Sequence, residues 1–179
     1  MYNKKMGISL KDWRRVMYTV GIITSSDKGY SGEREDKSGA IIKEIVEANG
    51  FKVEKQIILP DEREMLSKEF KYMCDEMRVN LILSTGGTGF SKRDITPEAT
   101  KDIIEREAPG ICEAIRWYSL QITKRAMLSR AVSGIRKDTL IVNLPGSPKA
   151  CKEALDFVLD DIKHGIDILL GDAKDCARK

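Results

Sequence analysis

Three short apolar runs alternate with segments of helical period in the first half of the chain, and this alternation restricts the fold more than any other feature. The run Thr19-Val20-Gly21-Ile22-Ile23-Thr24 is rich in β-branched residues and ends in the polar turn Ser25-Ser26-Asp27-Lys28-Gly29. It predicts a buried strand leading into a loop that can face a ligand. Ile41, Ile42, Ile45 and Val46 then recur at helical spacing, and Asn49-Gly50 supplies the left-handed residue that closes a helix. Residues 51–59 resume as a strand, Leu66, Phe70, Met73 and Met77 mark one face of a helix opening near Asp61, and residues 81–83 form a third strand. Linkers this short leave room only for helical crossovers, so the βαβαβ order predicts a mostly parallel sheet with right-handed connections.

Beyond that unit, helices are predicted over 97–107 and 110–118, broken at Ala108-Pro109-Gly110. Residues 129–135 and 139–144 flank Arg136-Lys137-Asp138, a connector suited to a hairpin, which brings one antiparallel strand into the sheet. Ser147 is the expected N-cap, and Pro148 the first residue, of a long helix whose apolar face runs through Leu155, Val158, Ile162, Ile166 and Leu169. The fold class is α/β: a three-layer sandwich with a mostly parallel central sheet, one antiparallel strand, and helices on both faces. With 179 residues, 41% of them hydrophobic, the chain is long enough for one well-buried core. The expected division is a basic extension over 1–16 with a short helix near 9–15, one domain over 17–170, and a polar tail over 171–179.

The 31 basic and 28 acidic residues are interspersed, giving a net charge of only +3. That pattern describes a solvated surface, so no nucleic-acid partner is expected. Cys74, Cys112, Cys151 and Cys176 are far apart, and His164 is the single histidine. Neither a zinc site nor a disulfide framework follows from such spacing, and reduced thiols are the expectation. No segment has the length and apolarity of a signal peptide or membrane span, so a soluble cytoplasmic protein without membrane partners is expected.

The chemistry is concentrated after the third strand, in Thr85-Gly86-Gly87-Thr88-Gly89-Phe90-Ser91-Lys92-Arg93-Asp94-Ile95-Thr96-Pro97. Open α/β sheets bind ligands at such strand-to-helix turns. Glycines let peptide N–H groups approach an anion with no Cβ in the way. Phosphate is therefore the expected guest, with Lys92 and Arg93 adding positive charge and Asp94 a hard oxygen suited to Mg²⁺. The run is neither a Walker A loop nor GxGxxG. Thr96 fits an N-cap and Pro97 the first helical residue. Asp61 also follows a strand; it fits an N-cap with Glu64 in the capping-box position, and equally a carboxylate facing the same crevice as Asp94. Residues 143–148, Asn143-Leu144-Pro145-Gly146-Ser147-Pro148, form a further loop at that edge, where Asn143 is expected to contact ligand and Gly146 and Ser147 to offer backbone donors at a helix N-terminus.

Four motifs in order, Leu59-Pro60-Asp61-Glu62, Thr85-Gly86-Gly87-Thr88-Gly89, Arg93-Asp94-Ile95-Thr96-Pro97-Glu98-Ala99-Thr100 and residues 143–148, resemble those of the molybdopterin adenylyltransferases of molybdenum-cofactor biosynthesis, a family that includes gephyrin-like N-terminal domains. The resemblance covers about residues 17–170. It implies a molybdopterin-binding α/β fold, a homotrimer, and transfer of AMP from MgATP to the terminal phosphate of molybdopterin with release of pyrophosphate. Other proteins of cofactor biosynthesis are the implied partners. It also implies that Asp61 and Asp94 are the catalytic carboxylates that orient or bind Mg²⁺. Thr85, Gly86, Gly87, Thr88, Gly89, Lys92 and Arg93 would then hold phosphates, and Asn143, Pro145, Gly146 and Ser147 the pterin or its phosphate. The same family holds members that bind without transferring, so a non-catalytic molybdopterin-binding scaffold is the alternative, and an unrelated nucleotide hydrolase a third.

Overall fold

A computed structural model describes residues 17–171. The basic extension with its expected helix, Cys176, and residues 172–179 of the polar tail lie outside the described residues. The strands are β1 (Thr19–Ser25), β2 (Lys52–Leu59), β3 (Leu81–Thr85), β4 (Arg106–Glu107), β5 (Ser133–Arg136) and β6 (Thr139–Leu144). The helices are α1 (Asp27–Tyr30), α2 (Lys37–Ala48), α3 (Arg63–Asp75), α4 (Thr96–Lys101), α5 (Pro109–Leu120) and α6 (Pro148–Leu170), with a 3₁₀ turn at Lys124–Leu128. The six strands form one sheet in the order β2-β1-β3-β6-β5-β4. Strands β2, β1, β3 and β6 are parallel, and β5 alone runs against its neighbours, pairing antiparallel with both β6 and β4.

Strand periodicity explains the layers, because successive side chains of a strand point to opposite faces. Val20, Ile22, Leu81, Leu83, Leu140 and Val142 enter a core shared with α2, α5 and α6, whereas Ile23, Ile82 and Ile141 enter a second core with α3 and α4. Both faces of the central strands are therefore apolar, as a doubly covered parallel sheet requires. Among the described residues, no helix is long and apolar enough to cross a membrane.

Local structure departs from the expected spans most clearly around α4 and β5. The helix expected over 97–107 stops at Lys101, and Arg106–Glu107 pair with Ile135 and Gly134 as a two-residue edge strand. The strand expected from residue 129 begins only at Ser133, because the chain before it is taken up by the 3₁₀ turn and its exit. The hairpin loop is Lys137-Asp138, with Lys137 at φ 50°. It is tied to the end of α3 by a bidentate Arg136–Asp75 pair, with nitrogen–oxygen distances of 3.0 and 2.6 Å.

Asn143, expected from its loop motif to contact ligand, is committed to the core. It lies inside β6 and is completely buried. Its Nδ2 donates to the Ser84 hydroxyl at 2.8 Å and the Thr100 hydroxyl at 2.9 Å, while its Oδ1 accepts the Val132 N–H at 3.2 Å. The amide thus joins β6 to β3, to α4 and to the entry of β5, and its hydrogen-bonding capacity is used within the core. Leaving those groups unsatisfied costs about 2–3 kcal/mol. Asn143→Ala is expected to lose about that much stability in urea unfolding while its folded fraction keeps wild-type affinity for ATP. Weakened binding at unchanged stability would restore the ligand-contact role.

Candidate functional site

The parallel register sets the ends of four strands level. Ser25 pairs with Leu59, Thr24 with Thr85, and Thr85 with Leu144. The loops that leave these ends surround a crevice at the carboxyl edge of the sheet, where doubly wound folds bind their ligands. Its larger lobe is a cavity of about 840 Å³ whose wall includes Ser25, Asp61, Gly86, Gly87, Asp94, Gly146 and Ser147. A smaller lobe of about 290 Å³ shares the Gly146-Ser147 wall and adds Thr88, Gly89, Pro145, Arg116 and Arg125.

Two glycines make the close approach at the loop after β3 possible. Gly86 and Gly87 have φ of 84° and 61°, in the left-handed region that side chains disfavour. A Cβ on Gly86 would lie 2.2 Å from the Ser25 carbonyl oxygen, and one on Gly87 would lie 2.4 Å from the Thr96 hydroxyl. Thr96 is not the expected N-cap. The cap position of α4 is Ile95, without a side-chain bond, and Thr96 is the first helical residue, with Pro97 second. The completely buried Thr96 hydroxyl is instead committed to the Gly86 carbonyl at 2.9 Å, and the Thr96 N–H donates to the Gly87 carbonyl at 3.1 Å. A buried carbonyl needs a donor more than a short helix needs a side-chain cap.

Asp61 does not cap a helix either. Glu62 holds the cap position of α3, again with no side-chain bond. Asp61 is drawn across to β1: its Oδ1 accepts the Ser25 hydroxyl at 2.6 Å and its Oδ2 the Asp27 N–H at 3.1 Å. Its own N–H returns a bond to Asp27 Oδ1 at 3.0 Å. Asp94 Oδ2 accepts the Ser91 N–H at 2.9 Å, and Oδ1 has no hydrogen-bond partner among the described residues. The two carboxylates expected at the site therefore line one cavity.

The basic pair next to Asp94 is placed differently. The Arg93 guanidinium is engaged by Asp27, at 3.0 and 2.9 Å, and by Glu62 at 2.8 Å. That pairing holds the Asp27 carboxyl below its usual range. Lys92 is exposed, and neither residue belongs to the crevice wall. The basic side chains that do line the crevice are Arg34 and Lys37 in the large lobe and Arg116 and Arg125 in the small one. None stood out in the sequence, although the polar turn that opens at Ser25 pointed to a loop at that edge.

Three hydroxyls orient the peptides of this crevice. Thr85 is completely buried and donates to the Pro145 carbonyl at 2.6 Å, a carbonyl that also accepts the Cys151 thiol at 2.9 Å. Ser38 donates to the Gly146 carbonyl at 2.9 Å, and Thr96 holds that of Gly86. The C=O and N–H of a trans peptide point in opposite directions. The N–H groups of Gly146, Ser147 and Gly87 are accordingly turned away from these hydroxyls, and none bonds to a described residue. Ser147 is the expected N-cap of α6, accepting the Ala150 N–H at 3.2 Å. Burial raises the Cys151 thiol to about 11, so the group is a hydrogen-bond donor and not a nucleophile at neutral pH. Among the described residues, no cluster of three or more His, Cys, Asp or Glu forms a metal cage.

Residues 21–164 match the family described as a probable molybdopterin binding domain. A molybdopterin adenylyltransferase of Helicobacter pylori strain J99 is 41% identical over 155 residues, spanning 85% of this chain and 88% of its own. One of Escherichia coli K12 is 40% identical over 154 residues, spanning 82% and 78%. The crystal structure of the molybdopterin biosynthesis enzyme MoaB from Thermus thermophilus superposes with a TM-score of 0.82 at 44% identity, covering 87% of this chain and 98% of that one.

Thr85→Val preserves shape but removes the hydroxyl from the Pro145 carbonyl. The variant is expected to stay folded, with stability lowered by about 1–2 kcal/mol, and to bind ATP about tenfold more weakly in calorimetric titration. Thr85→Ser is expected to restore affinity. Equal affinities for all three proteins would show that the pinned peptide does not serve the ligand.

Proposed function

The chain belongs to the probable molybdopterin-binding domain family of molybdenum-cofactor biosynthesis, and we propose that it is a molybdopterin adenylyltransferase, moving AMP from ATP to the terminal phosphate of molybdopterin with release of pyrophosphate. The observation that carries this reading is the pair Asp61 and Asp94 in one cavity with the unbonded amides of Gly87, Gly146 and Ser147.

Molybdopterin's phosphate is already ionised, so attack on the α-phosphorus needs no strong base, and a crevice without histidine suits the reaction. What the transfer needs is alignment and stabilisation of negative charge. The three amides supply donors fixed before substrate arrives, and Arg34 supplies positive charge at the wall of the large lobe, where Lys37 is paired with Glu35. Because both lobes share Gly146 and Ser147, two substrates placed in them meet at these donors. Asp94, with an oxygen to spare, and Asp61 fit Mg²⁺, which binds nucleotides through one or two carboxylates plus substrate phosphates and not in all-protein cages. When bound, the ion neutralises phosphate charge and favours departure of pyrophosphate. Lys92 and Arg93 are given no role in the transfer: the first is exposed and not part of the wall, and the second is already paired.

The enzyme is read as cytoplasmic and homotrimeric. The apolar side chains of Trp117, Ile122 and Met127 lie exposed on and after α5, and a trimer would cover such a surface. Sedimentation at micromolar protein is expected to give three times the monomer mass; a monomer that persists across concentrations contradicts the trimer.

Incubation with MgATP is expected to release pyrophosphate and form adenylylated pterin only when molybdopterin is present. Binding of both ligands without turnover would support the scaffold alternative, and pyrophosphate or phosphate release without pterin would support a hydrolase. Asp94→Asn is expected to lower kcat by about 10²–10⁴ with the fold intact. Near-normal turnover at saturating MgATP would remove Asp94 from the mechanism.

A further inference from the structure

Asp94 sits at the end of a loop whose middle, from Phe90 to Arg93, is exposed and is tied to the body of the protein by half-exposed surface pairs of Arg93 with Asp27 and Glu62. One residue far along the chain holds both ends of it. Arg130 lies between the 3₁₀ turn and β5, and its backbone N–H donates to the Thr88 carbonyl at 2.9 Å. Its Nε donates to the Gly89 carbonyl at 2.6 Å and its Nη2 to the Asp94 carbonyl at 2.7 Å, while Nη1 pairs with Glu98 in the first turn of α4. Only 33% of this side chain is exposed. Inside the loop, the Asp94 N–H bonds to the Ser91 carbonyl at 3.0 Å and the Ser91 N–H to the Asp94 carboxylate, contacts that close the turn on itself but do not aim it.

We propose that Arg130 is a positioning residue for Asp94, its guanidinium spanning the Gly89 and Asp94 carbonyls so that the carboxylate between them and α4 is set toward the crevice before substrate binds. The consequence for turnover rests on the adenylyltransferase reading above; the consequence for loop geometry does not. A planar fork of several N–H groups satisfies two carbonyls and a carboxylate at once, which an ammonium on a flexible stem cannot do in one conformation. Displacing a reacting group by about 1 Å costs on the order of 10²-fold in rate. Arg130 also follows Ser129, which together with Thr88 and Gly89 lines the small lobe, so the clamp adjoins both lobes.

The test compares Arg130→Lys, Arg130→Ala and Glu98→Gln with the wild type as full-length chains. Amide hydrogen exchange at Ser91 and Asp94 is expected to speed by about tenfold or more in both Arg130 variants, with β3 amides unchanged, whereas Glu98→Gln, which keeps the carbonyl bonds, stays close to wild type. In the transfer assay Arg130→Lys is expected to lose about 10–100-fold in kcat with little change in KM for ATP. Millimolar guanidinium is expected to raise turnover of Arg130→Ala several-fold without affecting the wild type, a rescue that general destabilisation does not produce. Native exchange at Ser91 and Asp94 in Arg130→Lys overturns the proposal, as does a loosened loop with wild-type kcat. An inactive wild type contradicts the functional reading instead, and the exchange arm still decides whether Arg130 sets the loop.

Discussion

The direction of three carbonyls determines the crevice. Those of Gly86, Pro145 and Gly146 are each held by a hydroxyl, from Thr96, Thr85 and Ser38 respectively, and their amide partners face the other way. Without those bonds, the glycine turns that end β3 and β6 would have no reason to present N–H groups in one place. The two turns lie against each other, a Cβ on Gly146 meeting the Gly86 Cα at an ordinary contact distance of 3.6 Å. The parallel register beneath brings the two strand ends level, and the hydroxyls convert that alignment into a set of donors.

Magnitudes decide which contacts matter. The Asp27–Arg93–Glu62 cluster is conspicuous, but its side chains are about half exposed, and exposed pairs contribute about 0–1 kcal/mol each. Stranding a carbonyl costs up to about 1–3 kcal/mol as its burial becomes complete, and those held by Thr85, Thr96 and Arg130 are partly buried. The shape of the crevice therefore rests on buried threonines and on the Arg130 fork, while the surface pairs trim the position of the loops. Arg93 illustrates the difference: beside a glycine loop it resembles a phosphate ligand, yet two carboxylates already compensate its charge.

Features set by residues three or four apart were legible in the sequence. Ser147 caps α6, Gly50 takes the left-handed position after α2 with φ 83°, and the three parallel strands stand where their apolar runs placed them. Local rules failed where a distant partner competed. Asp61 and Thr96 both satisfy capping patterns, but Ser25 and Asp27 claim the first and the Gly86 carbonyl the second. Asn143 occupies a loop motif and is nonetheless pleated into the core, because its strand extends one residue beyond it. The edge strand β4 was hidden because Ile103 and Ile104 prolong a helical pattern past the true end of α4. Ser38, Arg34 and Arg130 carried no local signal, since what defines each is a neighbour many residues away.

Phosphate is expected to meet backbone donors already in place in this crevice. Amide chemical-shift titration of the full-length protein with MgATP shows whether it does. Saturable shifts of Gly87, Gly146 and Ser147, with Lys92 and Asn143 unmoved, are the predicted result. Shifts confined to the Lys92-Arg93 turn, with those three amides silent, would contradict it.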